Sequence, residues 1–221
     1  TVEDVARNLR RWVHCIVART FAHDTLIRLA QHSRIPVVNA LSDTFHPCQA
    51  LAFGLTVHER FGTTPITVAF VGDGNNVCNS LMILCAKLGY TFVVAAPEGF
   101  EPDTSIVEQC SAFAAATGGT VSVGNDPRSA VNGADVIYTD VWTSMGQEHE
   151  TAKRKNIFTD FQINDTILSY APSEVVVSHC LPAHRGEEIT DEIMDSDRMI
   201  AFDEAENRLH AQKAVIIELF S

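Results

Sequence analysis

The side chains with the most chemical potential sit in one run, Val175-Val-Val-Ser-His-Cys-Leu-Pro-Ala-His-Arg185. It opens β-branched and apolar, which predicts a buried parallel strand ending at Cys180. Pro182 stops it, because proline has no N–H for a ladder and biases Leu181 toward an extended backbone. A thiol (Cys180), an imidazole (His179) and two freed backbone carbonyls are thereby expected at the carboxyl end of a strand, where open α/β sheets bind ligands. Cys180 packed as a small core hydrophobe is the competing reading.

Other stretches offer donors and acceptors of the same kind. Arg19 follows an apolar run, Val13 to Ala18, and burying it unpaired would cost several kcal/mol; a surface arginine on a loop is the alternative. His46-Pro47-Cys48-Gln49 opens a predicted helix. Its free N–H groups and positive dipole end suit a phosphate or a polarised carbonyl, unless the polar residues only cap it. Gly72-x-Gly74 before a helix is half of a dinucleotide fingerprint, with Val77 at the third glycine position and no acidic residue ending the next strand. The same turn brings Asn76 to a helix N-terminus, where its amide could hold a carboxylate. Asp140, with Ser144-Met145-Gly146 after it, could hold an ammonium group, or Asp140 could simply cap a loop. Arg208 falls in the terminal helix, where an i,i+4 pair with Glu204 is the simplest reading. His184 and Arg185 are expected as donors on a loop, and Lys153-Arg154-Lys155 as a solvated helix face.

These residues need elements to place them. Helical spacing covers 2–12, 23–32, 47–60, 77–88, 103–117, 127–132 and 204–219, with shorter turns near 150–157 and 162–169. Strands are expected at 13–18, 35–40, 66–71, 91–96, 120–123, 134–139, 175–180 and 199–202. Such alternation calls for parallel sheets with helices on both faces, linked by right-handed crossovers. Of the 221 residues, 46% are hydrophobic and 20% charged, and the formal net charge is −12. No basic stripe fits a nucleic acid, and no apolar stretch is long enough for a membrane. The six cysteines are scattered with no CxxC pair. That predicts no metal site, no disulfide framework and a reducing, cytoplasmic compartment.

Taken together, His46-Pro-Cys-Gln49, Val71-Gly-Asp-Gly-Asn-Asn76, Asp140-Val-Trp-Thr-Ser-Met-Gly146, His179-Cys-Leu-Pro182 and Glu204-Ala-Glu-Asn-Arg208 resemble the aspartate/ornithine carbamoyltransferase family, in its ornithine-using branch. The resemblance runs over nearly the whole chain. It implies a two-domain α/β fold: 1–62 as the remainder of a carbamoyl phosphate domain with an incomplete parallel sheet, 63–203 as a Rossmann-like ornithine domain, and 204–221 as a helix returning to the first. It also implies transfer of the carbamoyl group of carbamoyl phosphate to the δ-amine of L-ornithine, no cofactor, and a homotrimer. By position, Arg19, His46 and Gln49 would hold carbamoyl phosphate, and Arg208 would contact the carbamoyl group. Asn76, Asp140, Ser144 and Met145 would hold the amino-acid head of ornithine. Cys180 and the Leu181 carbonyl would lie beside the reacting amine.

Two departures stand out. The family's Ser-Thr-Arg-Thr phosphate loop would precede residue 1, so the chain by itself is expected to be a weak or inactive catalyst. Leu51-Ala-Phe-Gly54 replaces the usual Leu-Ala-Asp, which bears on local packing. Two other readings stay open: a nicotinamide-dependent oxidoreductase built on Gly72-x-Gly74, and a chain that binds a metabolite without turning it over.

Overall fold

The computed structural model describes residues 1–143 and 148–221. Two parallel sheets organise the chain. The first pairs β1 (Ile16–Arg19) with β2 (Val37–Leu41). α1 (Val2–Leu9) and α2 (His23–Ser33) pack on one another beside it. α3 (Pro47–Phe61) leads out of this unit, with Pro47 in its first turn, where a missing N–H costs nothing.

The second sheet has five strands: β3 (Thr67–Val71), β4 (Thr91–Ala95), β5 (Thr120–Gly124), β6 (Val136–Thr139) and β7 (Val176–His179). Their spatial order is β5-β4-β3-β6-β7, parallel throughout. The chain winds outward one way from β3, then returns to place β6 on its other side. The crevice opened by that reversal, at the carboxyl ends of β3 and β6, is the switch point at which such sheets bind ligands.

Between the strands run α4 (Asn76–Leu88), α5 (Thr104–Thr117), α6 (Pro127–Val131), α7 (Thr151–Phe158) and α8 (Asp165–Leu168), and α9 (Asp191–Met194) follows β7. α10 (Ala201–Phe220) closes the chain and lies along α3. Strand residues alternate between two cores, as a period of two requires. Val68 and Phe70 face the layer of α3, α4 and α5, while Ala69 and Val71 face that of α6 to α9.

Phe53 and Gly54, the departure in α3, turn out to be packing residues. Phe53 is fully buried and meets Tyr138 of β6 edge-on, with centroids 5.3 Å apart. At Gly54 a Cβ would come within 3.1 Å of Leu84 of α4, so glycine lets the helices approach. α3 therefore shares the core of the second sheet.

Several expectations need correction. No strand forms at 199–202: Met199 makes a single bridge to Val177, and Ala201 already begins α10. α1 stops at Leu9 rather than Trp12, and Trp12 is exposed. β1 starts at Ile16, where its N–H reaches the Pro36 carbonyl, not at Val13. Leu181 is not extended: its φ is +54°, and the Leu181–Pro182 peptide is cis. Arg154 is not on a solvated face. It is 5% exposed, ion-paired with Asp73 at 2.8 Å, and stacked near Phe100. No helix among the described residues is long and apolar enough to cross a membrane.

Candidate active site

A cleft of about 620 Å³ opens between the two sheets. Arg19 from the end of β1, His46 and Gln49 from the start of α3, and Arg208 from α10 line it on one side. Asn76 at the start of α4, Asp140 after β6, and Cys180 and Leu181 after β7 line the other. Strand ends and two helix N-termini supply nearly all of these groups, because those are the points where backbone direction changes and side chains are released from the layers. Ser144 and Met145 lie outside the described residues.

His46 is the N-cap residue of α3, and its own N–H donates to Ser80 Oγ at 2.7 Å. Burial, helped by the nearby Arg208 and Arg19 guanidiniums, lowers its imidazole to about 4 from 6.5. It is therefore neutral near pH 7, a hydrogen-bonding group without charge. Its Nδ1 and the Oδ1 of Asn79, also a lining residue, are buried and have no hydrogen-bond partner among the described residues. Buried polar atoms of that kind normally find one.

On the facing side, the Cys180 thiol donates to Asp140 Oδ1 at 2.8 Å. Burial raises this thiol well above its ordinary range, and the Asp140 carboxylate adds to the effect. A thiol so placed stays protonated and cannot serve as a thiolate nucleophile. Asp140 also accepts from Asn75 Nδ2 and from Val141 N–H, each at 2.7 Å. Asn75 carries the N-cap of α4 as well, its Oδ1 accepting from Val77 and Cys78 N–H.

Asn75 thus holds Asp140 and caps α4, while Asn76, the residue singled out from the sequence, lines the cleft beside it. The Asn76 side chain reaches across to the first unit, its Nδ2 donating to the carbonyl of Ser42, also a lining residue, at 2.6 Å. His179, by contrast, does not line the cleft. It is fully buried, with Nδ1 accepting from Leu181 N–H at 2.8 Å and Nε2 facing Glu188 Oε1 at 3.2 Å. Alternation along β7 turns Cys180 toward the cleft and His179 away. His184 has its N–H on Glu188, and Arg185 forks onto Asp191 and Asp195, outside the cleft.

Arg208 does not pair with Glu204. Its Nη1 donates to Gln49 Oε1 and its Nε to Gln212 Oε1. Glu204 is fully buried and accepts from Gln49, Tyr138 and Ser178. Sequence reasoning missed Glu204, Asn75 and Asp73 as parts of the site. The signal for Glu204 was its place in the motif ending at Arg208; for Asn75 it was the N-cap preference of asparagine.

Asp140, His179 and Cys180 could in principle offer three metal-ligand atoms within 4.8 Å of one another. In this structure each of those groups is already taken up by a protein partner. The half of a dinucleotide fingerprint has a packing explanation. Val77 is buried in the core, and a Cβ on Gly74 would come within 2.2 Å of Pro102 N. Gly74 is thus required by packing against a neighbouring loop, whatever ligand the cleft takes.

Comparison with known proteins agrees with this architecture. Residues 1–59 match the family described as aspartate/ornithine carbamoyltransferase, carbamoyl-P binding domain, and residues 64–219 its Asp/Orn binding domain. An ornithine carbamoyltransferase from Pyrococcus horikoshii is 52% identical over 217 residues, 98% of this chain and 68% of the relative. One from Pyrococcus furiosus, named as anabolic, is 51% identical over 98% of this chain and 69% of its own length. The crystal structure of ornithine carbamoyltransferase from Gloeobacter violaceus superposes with a TM-score of 0.93 at 48% identity, covering all of this chain and 74% of that one. The chain belongs to the aspartate/ornithine carbamoyltransferase family.

Proposed function

We propose that the protein is a carbamoyltransferase that moves the carbamoyl group of carbamoyl phosphate onto the δ-amine of L-ornithine, giving L-citrulline and phosphate. One observation supports this reading above the others. A cationic, neutral-imidazole side (Arg19, His46, Gln49, Arg208) and a carboxylate–thiol side (Asp140, Cys180) face each other across a single cleft. The first suits an anionic acyl donor and the second an amino acid bearing ammonium and amine groups.

In the reaction the neutral δ-amine attacks the carbamoyl carbon. A C–N bond forms, the bond from carbon to the phosphate oxygen breaks, phosphate leaves with its electron pair, and the amine sheds a proton. Arg19, His46 and Arg208 act as fixed donors to the oxygen that gains charge, the largest contribution in most acyl transfers. Gln49 holds the donor substrate. Asn76, Asp140, Ser144 and Met145 hold the head group of ornithine, while Cys180 and the Leu181 carbonyl orient the amine. Holding both substrates in line supplies much of the remaining acceleration. Residues 1–62 form the carbamoyl phosphate side and 63–203 the ornithine side, with 204–221 returning to the first.

The protein works as a homotrimer in the cytoplasm, in arginine biosynthesis. Light scattering at three times the 24.2 kDa chain mass would support the trimer. The function is tested by calorimetric titration with L-ornithine, with and without carbamoyl phosphate, alongside citrulline formation. Ornithine binding strengthened by carbamoyl phosphate is expected. NADH binding in place of either substrate would refute the reading.

A further inference from the structure

Glu204 sits in the first turn of α10 with none of its surface exposed. Three donors from three elements converge on its carboxylate: Gln49 Nε2 from α3, Tyr138 OH from β6 and Ser178 Oγ from β7. Tyr138 and Ser178 each lie two residues before a cleft group, Asp140 and Cys180, on the same strand face. A buried carboxylate would otherwise be costly, and here each oxygen is satisfied.

The consequence lies at Gln49. Its amide oxygen and nitrogen have nearly the same shape, so packing alone would seat it either way round. A guanidinium only donates, and Glu204 Oε1, which also takes the Tyr138 hydroxyl, is left only to accept, since a proton on this carboxyl would sit on Oε2 toward Ser178. The amide nitrogen must therefore face Glu204, which turns the oxygen to Arg208 Nη1. Gln212 is preset in the same manner: its nitrogen donates to the Cys48 carbonyl at 2.9 Å, so its oxygen receives Arg208 Nε at 3.1 Å.

We propose that Glu204 is a positioning residue: by fixing which way the Gln49 amide faces, it aims the Arg208 guanidinium into the donor side of the cleft. Without that anchor the amide can flip and present its N–H groups to a guanidinium that cannot accept them. The inference deepens the carbamoyl phosphate reading of that side and rests on it for its kinetic consequence only.

The test compares Glu204→Gln with Tyr138→Phe and Ser178→Ala. All three disturb the same carboxylate, but only the first reaches Arg208 through Gln49. In ¹⁵N-labelled protein, E204Q should shift the Gln49 side-chain amide and the Arg208 Nε–H signals together, while Y138F and S178A leave the Arg208 signal in place. In assays, E204Q should raise KM for carbamoyl phosphate roughly tenfold, the effect of one lost charge-assisted hydrogen bond, with KM for ornithine changed less than about twofold. An Arg208 signal unmoved in E204Q overturns the proposal, and so does an equal KM rise in all three variants. If E204Q does not fold, Glu204→Asp carries the same comparison, since it keeps the charge but not the reach. A wild-type chain that binds no carbamoyl phosphate refutes the functional reading alone; the NMR comparison judges the relay without substrate.

Discussion

Replacing His46 with glutamine tests how far the cleft controls the charge of its own residues. Burial and the Arg208 and Arg19 guanidiniums hold the imidazole at about 4, against 6.5 in an open chain. The gap is about 2.5 units, or ~3.4 kcal/mol between the fully protonated and fully deprotonated limits. At about pH 5 the unfolded chain carries nearly a full proton here and the folded chain almost none. The unfolded state then binds more protons, so stability falls as pH falls. Between about pH 7.5 and 5.0 His46 alone should remove ~2 kcal/mol.

Two other buried groups titrate in the opposite direction. Burial raises Glu204 to about 7 and Asp73 to about 6, despite the hydrogen bonds and the Arg154 charge that oppose it. These groups bind protons first in the folded state, so each adds stability as pH falls through its window. The wild-type curve mixes the three. The difference between wild type and His46→Gln isolates one, because Glu204 and Asp73 are common to both proteins. Urea unfolding followed by circular dichroism at three pH values measures it. The wild-type advantage should shrink by ~2 kcal/mol from about pH 7.5 to 5.0. A difference independent of pH would show that the imidazole is not held neutral and would refute the reasoning.

Further expectations follow from the same contacts. Arg154→Met removes the partner of Asp73 and the donor to the Trp142 carbonyl, and should cost about 3–5 kcal/mol in urea unfolding. A cost below about 1 kcal/mol would mean Asp73 takes up a proton and needs no partner. Phe53→Ala opens a cavity against Tyr138, with a loss of about 3–5 kcal/mol expected by the same method. Cys180, held as a thiol by burial and Asp140, should react with iodoacetamide at neutral pH at least roughly tenfold more slowly than a free cysteine. Peptide mass spectrometry reads this, and rapid modification would reject the protonated thiol. Asp140→Asn should weaken ornithine binding roughly tenfold in calorimetry, with carbamoyl phosphate affinity little changed.

Much of this chain could be read before its structure. The β-branched runs ending in Arg19, Val71, Thr139 and His179 form parallel strands, and the polar residues just past them line one cleft. Local periodicity suffices there, since a run buried on both faces has few other ways to hide its surface. The motifs that resemble the family pointed to His46, Gln49, Asp140, Cys180 and Arg208, and all five line the cleft; the first four sit where a strand ends or a helix begins, whereas Arg208 lies within α10.

What tertiary structure alone decided is which neighbour each polar group chose. Glu204 has Arg208 four residues away on its own helix, yet it bonds Gln49, 155 residues distant in sequence. Arg154 stands between two lysines, yet it is buried on Asp73, 81 residues away. His179 and Cys180 are adjacent, yet one faces Glu188 and the other the cleft. Spacing along a chain records only short-range geometry. Once two layers close, a buried charge must find whatever donor the opposite layer brings, because an unpaired one costs several kcal/mol.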